Sequence, residues 1–272
     1  MKIKDHFLTQ ETFEIKETAT SGVFKTFPIP QDLDKYYDTP NYISHHQDTG
    51  SSKEKLYKLL QKYNLQYKKS ILDSSLKPNA TVLDYGCGAG EFLKFIEADY
   101  NTIGFEPNSV ARKFAGEKAK KTQFTSNIES IADGSLDAIT LWHVFEHIEN
   151  QQETLQIFKN KLKEKGLLII AVPNSSSFDA NYYKEFWAAY DVPRHIFHFT
   201  KSGMEKLMNT AIWKIKKTKP LILDSFYISM LSEKYKNSGL IWLKGLFYGA
   251  ISNLKALKSG EFSSLIYVIE KK

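Results

Sequence analysis

Three glycines and two acidic residues have a spacing that could bind a nucleotide-like ligand. Gly86, Gly88 and Gly90 form a GxGxG run that begins two residues after Asp84, the end of a short apolar run. Glu106 lies twenty-two positions after Asp84, directly after the next apolar run. In open parallel sheets, ligands bind beyond the carboxyl ends of the strands, where glycines let them approach the backbone closely. We therefore predict that this loop binds a ligand.

The charge around the loop indicates which ligand it suits. The dinucleotide fingerprint is GxGxxG with a pyrophosphate at a helix N-terminus, and a carboxylate at Asp84 would repel that pyrophosphate. The same carboxylate would attract a ligand that carries an ammonium and a sulfonium group. Glu106 could accept hydrogen bonds from both ribose hydroxyls, or it could be an ordinary exposed glutamate. The pattern favours S-adenosylmethionine over NAD.

Short apolar runs alternate with helical spacing through the middle of the chain, as is typical of a parallel sheet covered by helices. The predicted strands are 81–84, 102–105, 123–125, 138–141, 167–172, 213–223 and 265–269. The predicted helices are 52–76, 91–98, 109–120, 153–163 and 201–209, followed by a longer apolar helical region at 225–257. Residues 1–50 contain several prolines and predict an irregular, ordered extension with turns.

Five sequence motifs together resemble those of class I S-adenosylmethionine-dependent methyltransferases over about residues 77–172. They are VLDYGCGAG (82–90), GFEP (104–107), SNIES (126–130), LDAITLWHVFEHI (136–148) and GLLIIAVPN (166–174). The resemblance implies an α/β fold, a Rossmann-like doubly wound sheet of seven strands with a reversed final strand. An N-terminal extension and a helical insertion before the last strand would be added to it.

The resemblance also implies which residues contact the cofactor. They are Asp84, Gly86, Cys87, Gly88, Gly90, Glu106 and Pro107, then Asn127 and Ile128 at the adenine, and Trp142 and His143 at the methionine portion. Residues 1–76 would be the extension and a helix that caps the cofactor site. Residues 77–272 would be the methyltransferase domain, with lid segments at about 174–200 and 225–258.

The segment DVPRHIFHFT (191–200) is similar to one in a bacterial subgroup linked to glycan, lipid or quinone-like substrates. In that subgroup the N-terminal extension frequently holds a cysteine-based metal site. The only cysteine here is Cys87, in the glycine loop, so we expect no metal. No histidine is placed by the sequence to activate Cys87 as a nucleophile.

Methyl transfer is an in-line displacement that needs an aligned acceptor and, for a hydroxyl acceptor, a base. His195 is our first candidate for this base, and His198, His143 and Asp191 are the others. The alternative for His195 is a purely structural histidine.

Substrate binding is predicted for Trp187, Tyr190, Asp191 and Arg194. Arg194 could bind a carboxylate or phosphate with two hydrogen bonds, or it could pair with Asp191. The aromatic side chains, with Tyr182 nearby, could line an acceptor site or simply pack the lid.

The run His143-Val144-Phe145-Glu146-His147 also satisfies HxxEH, the inverted zinc-protease motif. A zinc site of that kind needs both histidines on one face of a helix. His143 follows a predicted strand and would lie in a turn, which disfavours a protease.

The composition limits the partners only loosely. The chain has 272 residues, 42% of them hydrophobic, and a net charge of +6. Its lysines are spread through amphipathic segments, so we read them as a solvated surface and expect no nucleic acid. The start of the chain does not look like a secretory signal, and we expect a cytoplasmic protein.

The apolar segment at about 239–251, with Lys234, Lys236, Lys244 and Lys255 nearby, could be a core or homodimer helix or a peripheral membrane contact. The function expected from all these features is methyl transfer to an oxygen or carbon of a small-molecule, glycan or lipid-type acceptor. An RNA or protein methyltransferase, a ligand-binding protein without catalysis and a nicotinamide-dependent oxidoreductase are the alternatives.

Overall fold

The computed structural model describes residues 1–36, 52–210 and 212–272, and the part of the predicted extension at 37–51 lies outside these ranges. Its strands are β1 Lys2–Lys4, β2 Thr12–Glu17, β3 Val23–Phe27, β4 Thr81–Tyr85, β5 Asn101–Phe105, β6 Gln123–Thr125, β7 Leu136–Trp142, β8 Leu162–Pro173, β9 Phe197–Phe199, β10 Trp213–Pro220 and β11 Ser264–Lys271. Its α-helices are α1 Ser52–Asp73, α2 Glu91–Ile96, α3 Ser109–Lys118, α4 Gln151–Lys161, α5 Phe178–Tyr183, α6 Lys201–Met208, α7 Asp224–Tyr235 and α8 Ile241–Ser259.

The main sheet has seven strands in the order β10-β11-β8-β7-β4-β5-β6. The strands from β8 to β6 pair in parallel, whereas β11 is antiparallel to both β8 and β10. The predicted doubly wound sheet with a reversed final strand is therefore confirmed. Residues 168–171 of β8 are fully buried because helices cover both faces of the sheet.

The longest boundary error concerns β8, which begins at Leu162 instead of 167. The sequence predicts that Lys163 belongs to the preceding helix, 153–163. Leu162 pairs with Leu136 of β7. The register is then irregular over the exposed residues 163–165 and over Gly166, and regular pairing resumes where Leu167 faces Ala138. Long-range pairing thus overrides the helical character of that short segment.

The N-terminal extension is not irregular, as the sequence suggested, but folds into a second sheet. This sheet has the order β1-β2-β3-β9, and its last strand comes from residues 197–199. Phe24 of β3 pairs with His198 of β9. Because these strands are short and one partner lies far along the chain, the local sequence carried little signal for them.

The helical insertion before β11 consists of α7 and α8, which pack closely against each other. Gly245 and Gly249 of α8 lie against Met230 and Phe226 of α7, where any side chain larger than hydrogen would collide. Among the described helices, none has both the length and the apolar character to cross a bilayer.

Candidate functional site

The glycine loop lies between β4 and α2, at the carboxyl edge of the sheet. Gly86, Gly88 and Gly90 have φ angles of 75°, 52° and 76°, a region that glycine adopts most easily. A Cβ on Gly86 would lie 2.7 Å from the Val144 methyls, and one on Gly90 would lie 2.9 Å from Ala115. Gly88 has no heavy atom within 4 Å of its Cβ position. Two of the glycines therefore allow close packing, and Gly88 leaves open space for a ligand.

Glu106 lies beside this loop, where β5 ends. Its Oε2 accepts a hydrogen bond from the Gly88 amide and its Oε1 from the Asn108 amide, both at 2.9 Å. The Phe105 carbonyl in turn accepts hydrogen bonds from the amides of Gly86 and Cys87. These contacts hold the loop and the carboxylate together, although the ribose-binding role of Glu106 stays a prediction.

Asp84 is a buried carboxylate at the end of β4. Its Oδ1 accepts a hydrogen bond of 2.7 Å from the Thr140 hydroxyl on β7. Burial raises the pKa of Asp84 to about 7, although the Thr140 hydrogen bond and the Lys68 charge oppose this. Because burial disfavours the charged form of Asp84, a cationic ligand bound beside it would stabilise the carboxylate.

Lys68 of α1 is a residue that the sequence did not single out. Its ammonium lies 4.7 Å from the centre of the Trp142 ring. Burial lowers the pKa of Lys68, and the charges of Asp224 and Asp84 partly oppose that effect. The predicted role of 52–76 as a helix over the cofactor site stays a prediction, but α1 does place a positive charge at Asp84.

The remaining cofactor candidates lie where neighbouring strands end. Asn127 caps the turn after β6, because its side chain accepts a hydrogen bond from the Glu129 amide at 3.0 Å, and Ile128 follows it. The Pro107 carbonyl accepts a bond from Arg112 at 3.1 Å.

Trp142 and Cys87 complete that set. Trp142 ends β7, and its indole nitrogen is buried without a hydrogen-bond partner among the described residues. Burial raises the pKa of the Cys87 thiol, so this cysteine is not a thiolate nucleophile.

His143 has a left-handed backbone, with φ of 58°, directly after β7. Its Nε2 lies 2.9 Å from Oδ2 of Asp224, and its Nδ1 lies 3.4 Å from Oε1 of Glu146. Burial lowers the pKa of His143, but these two carboxylates outweigh it and raise the pKa well above its ordinary value. The imidazole is therefore charged at neutral pH and has no lone pair with which to accept a proton.

Glu146, His147 and His195 form a second cluster, in which one ligand atom from each lies within 4.8 Å of the others. Nδ1 of His147 lies 2.8 Å from the Arg194 carbonyl, and Nδ1 of His195 lies 2.9 Å from the Ala189 carbonyl. Since a carbonyl only accepts, each Nδ1 carries a hydrogen, and in the neutral His195 the lone pair is therefore on Nε2. Such a set can share a proton or hold a divalent cation.

Glu146 is the acidic centre of this cluster. It is buried, and neither of its carboxylate oxygens accepts a hydrogen bond within the part of the chain that the structure describes. Oε1 lies 3.9 Å from Nε2 of His195. Burial would raise the pKa of Glu146, but His143, His195 and His147 together lower it.

His195 and His198 are both held in the neutral form. Burial, with the neighbouring His147, lowers the pKa of His195 to about 4. Burial, with the neighbouring His195, also lowers the pKa of His198 well below its ordinary value. Nε2 of His198 lies 2.9 Å from the Thr26 hydroxyl in the small sheet, so His198 is tied to the extension.

Arg194 joins three parts of the chain. It donates to both oxygens of Asp191, at 3.0 and 2.7 Å, and to Oδ1 of Asp5 at 2.9 Å. It also donates to the Tyr36 carbonyl at 3.2 Å, and its side chain is buried. This is the pairing with Asp191 that the sequence left open, extended by a link to the N-terminal extension.

Trp187 and Tyr190 are buried and pack edge to face, with ring centres 5.0 Å apart. The Trp187 indole donates to Asp179 at 2.7 Å. Near them lies a surface depression that opens to solvent and is too tight to hold a water molecule. It is lined by Pro173, Ser175, Trp187, Ala189, His195, Phe197, His198 and Phe199. Trp187 and His195 thus line the same depression. Arg194 and Asp191 line a different one, next to the extension.

Asp224 is the second residue at the site that the sequence did not indicate. It begins α7, about eighty residues after His143, with which it pairs. An acidic residue in the first turn of a helix is common, so only the three-dimensional contact distinguishes this one.

A family model described as "Methyltransferase domain" matches residues 54–215. The sequence is similar to "Uncharacterized protein MJ1252" of Methanocaldococcus jannaschii, with 28% identity over 198 residues, covering 69% of this chain and 74% of that protein.

Two solved structures of similar fold have low sequence identity to this chain. The [4+2]-cyclase SpnF has 14% identity, a TM-score of 0.51 and coverage of 76% of this chain and 81% of that one. Mycolic acid cyclopropane synthase CmaA1, complexed with SAH and CTAB, has 13% identity, a TM-score of 0.50 and coverage of 75% and 83%. At these identities the two structures show that the fold is shared.

Proposed function

The chain belongs to the methyltransferase-domain family, as an S-adenosylmethionine-dependent methyltransferase, and from this premise we propose that its acceptor is an oxygen or carbon of a small-molecule, glycan or lipid-type compound, deprotonated by His195. The observation that carries this proposal is the pairing of the neutral His195 with the buried carboxylate of Glu146 beside the surface depression. Such a pair has the form needed to accept a proton and to stabilise the charge that results.

The cofactor supplies a methyl group on a sulfonium, which is already activated for displacement. Two features of this structure fit it. Gly88 leaves open space at the turn, and the raised pKa of Asp84 marks a buried carboxylate that a cation would stabilise. We propose that Asp84 holds the positive end of the ligand and that Glu106, fixed by two backbone amides, holds the ribose.

The His195 pair lies close to the glycine loop through one short connection. Val144 packs on Gly86, and Glu146 follows two residues later in the same turn. Because Nδ1 of His195 donates to a carbonyl, its Nε2 accepts the proton, and the Glu146 carboxylate then stabilises the imidazolium. His143 is already protonated and serves to hold Glu146 in place.

The depression at His195 is shallow and lined mostly by apolar side chains. Its aromatic and aliphatic lining, which includes Trp187 and Phe197, suits a planar or apolar group next to the reacting atom. Ser175 is the hydroxyl residue in this lining. Arg194 is occupied by two carboxylates, so we assign acceptor contact to Trp187 rather than to Arg194.

Turnover on a panel of hydroxylated metabolites, glycans and lipids, followed as demethylated cofactor formed, tests the proposal. With an active acceptor, we expect His195→Gln to lower kcat about 100- to 10,000-fold while the Kd for S-adenosylmethionine stays unchanged. His198→Gln is the matched comparison, since His198 is also buried and neutral. A large loss of kcat in His198→Gln with little loss in His195→Gln would show that His198, not His195, is the base.

A chelation experiment separates the two uses of the Glu146, His147 and His195 cluster. If His195 acts as a base, the enzyme should keep its activity after treatment with a strong chelator, because proton transfer requires no cation. Activity that disappears with the chelator and returns with a divalent ion would reassign the three side chains to a metal site.

A further inference from the structure

The outer face of α8 is apolar and exposed to solvent. Leu243, Phe247, Leu254 and Leu257 are between 59% and 73% exposed, and Leu246 is 51% exposed. Their spacing places them on one side of the helix. Single exposed apolar residues are ordinary, but a continuous stripe of large ones marks a surface that binds something.

The inner face of α8 already has its partner. Its buried residues are Gly245, Gly249, Ser252 and Ala256, which follow the i, i+4, i+7, i+11 pattern of a single helical stripe. They are small, and the two glycines let α7 approach closely. The larger apolar side chains are thus on the side away from the protein. Packing among the residues that the structure describes therefore does not explain them.

The charges of α8 indicate the kind of surface that would cover this stripe. Lys244, Lys255 and Lys258 lie along one flank of the stripe, and residues 241–259 contain no Asp or Glu. A large apolar face flanked by lysines is typical of helices that lie in the interface of an anionic membrane. In an antiparallel pair with a second copy of α8, the two lysine flanks would lie on the same side and repel each other.

Two contacts connect the helical insertion, which carries the stripe on its outer face, to the site. Tyr248 of α8 stacks on Tyr182 of the 174–200 segment, with ring centres 4.1 Å apart. Asp224 of α7, which packs along α8, pairs with His143. A surface that binds the outside of α8 would therefore be linked to the site through the helical insertion.

We propose that α8 docks on an anionic lipid surface, with Leu243, Phe247, Leu254 and Leu257 at the headgroup boundary and the three lysines at lipid phosphates. The acceptor would then be a lipid-type molecule taken from that surface. The choice of acceptor rests on the proposed function, whereas the docking does not.

Flotation of the full-length protein with two kinds of vesicle tests the docking. We expect binding to phosphatidylcholine vesicles that contain phosphatidylglycerol, weaker binding to phosphatidylcholine alone, and a decrease as salt is raised. The double variant Leu243→Ser, Phe247→Ser should lower partitioning more than about tenfold. Lys244→Glu with Lys255→Glu should remove the preference for anionic vesicles.

Phe114→Ser is the matched control, because Phe114 is a large aromatic residue of α3 that is 52% exposed; its partitioning should equal that of the unchanged protein. Protein that stays unbound with both kinds of vesicle would overturn the proposal, as would binding that the α8 variants leave unchanged. A dimer that the serine variant dissociates, without vesicle binding, would assign the face to a second copy.

Calorimetry with S-adenosylmethionine on each protein keeps the two proposals distinguishable. Intact cofactor affinity without vesicle binding would overturn only the docking. Vesicle binding without cofactor affinity would overturn only the proposed function.

Discussion

The proposed cofactor side and the proposed acceptor side of the site are built differently. Asp84, the three glycines and Glu106 all come from one βαβ unit, so their distances follow from a short stretch of chain. The acceptor side combines β3 of the extension, residues 174–200 and the start of α7, which are far apart in the sequence. The first arrangement depends mainly on local pattern, whereas the second depends on long-range contacts that must hold several segments together.

The largest expected effect concerns the arginine that holds the acceptor side together. Arg194→Met should lower the free energy of unfolding by about 3–5 kcal/mol, because it leaves the buried Asp5 carboxylate and its neighbour Asp191 without their partner. Denaturant unfolding followed by circular dichroism measures it. Lys163→Met, which breaks the more exposed ion pair with Asp137, is the control and should cost no more than about 1 kcal/mol. Equal losses in both variants would show that the acceptor side does not depend on this link.

This comparison also explains what the sequence could predict. The alternation of strands and helices and the place of the glycine loop followed from local apolar runs. The seven-stranded sheet with its reversed last strand followed from the family resemblance that five motifs carry. The small sheet did not, because β9 pairs with β3 across about 170 residues. Nor did Lys68 and Asp224, since nothing in their own neighbourhoods distinguishes them from surface charges of a helix.

The histidines show even more clearly what cannot be predicted from the sequence alone. Types and spacing placed His143, His195 and His198 together as candidate bases. Burial lowers the pKa of both His143 and His195. Asp224 and Glu146 outweigh it at His143 and raise that pKa, whereas the pKa of His195 falls to about 4. Only the folded structure therefore distinguishes a charged histidine that holds Glu146 from a neutral one that can accept a proton.

The second prediction tests the electrostatics of the cofactor side. Asp84→Asn should weaken S-adenosylmethionine binding about 10- to 100-fold, the value of one charge-assisted contact of about 1.5–3 kcal/mol. Isothermal calorimetry measures it, with the exposed Asp133→Asn as the control. An unchanged Kd in Asp84→Asn would remove the reason for placing the cationic ligand at this carboxylate.

The pH dependence of the same binding gives an independent check. Only ionised Asp84 attracts a cation, and its pKa in the folded protein is about 7. The Kd should therefore rise as pH falls through 7 and level off at about the 10- to 100-fold weaker binding expected of the uncharged side chain. In Asp84→Asn this dependence should be lost, and a slope retained in the variant would assign the titration to another group.

The third prediction concerns the contact that joins the helical insertion to the turn after β7. Asp224→Asn removes one of the two carboxylates beside His143, so the pKa of His143 should fall, by on the order of one unit. NMR titration of the imidazole signals measures it. Lys234→Met, a change near the other end of α7, should leave that pKa unchanged. A pKa that does not move in Asp224→Asn would mean that α7 does not act on the site electrostatically.

The smallest expected effect separates ligand contact from backbone strain within the glycine loop. Gly88 and Gly134 have φ angles of 52° and 63°, and neither has a heavy atom within 4 Å of its Cβ position. Alanine at either site should therefore cost a similar free energy of unfolding, about 1 kcal/mol, for the left-handed backbone. Only Gly88→Ala should also weaken S-adenosylmethionine binding, by severalfold, because its methyl group enters the space assigned to the ligand. Equal cofactor affinity in the two variants would show that the ligand does not approach the backbone at the open space beside Gly88. The local glycine motif would then have predicted the fold correctly but not the place where the ligand binds.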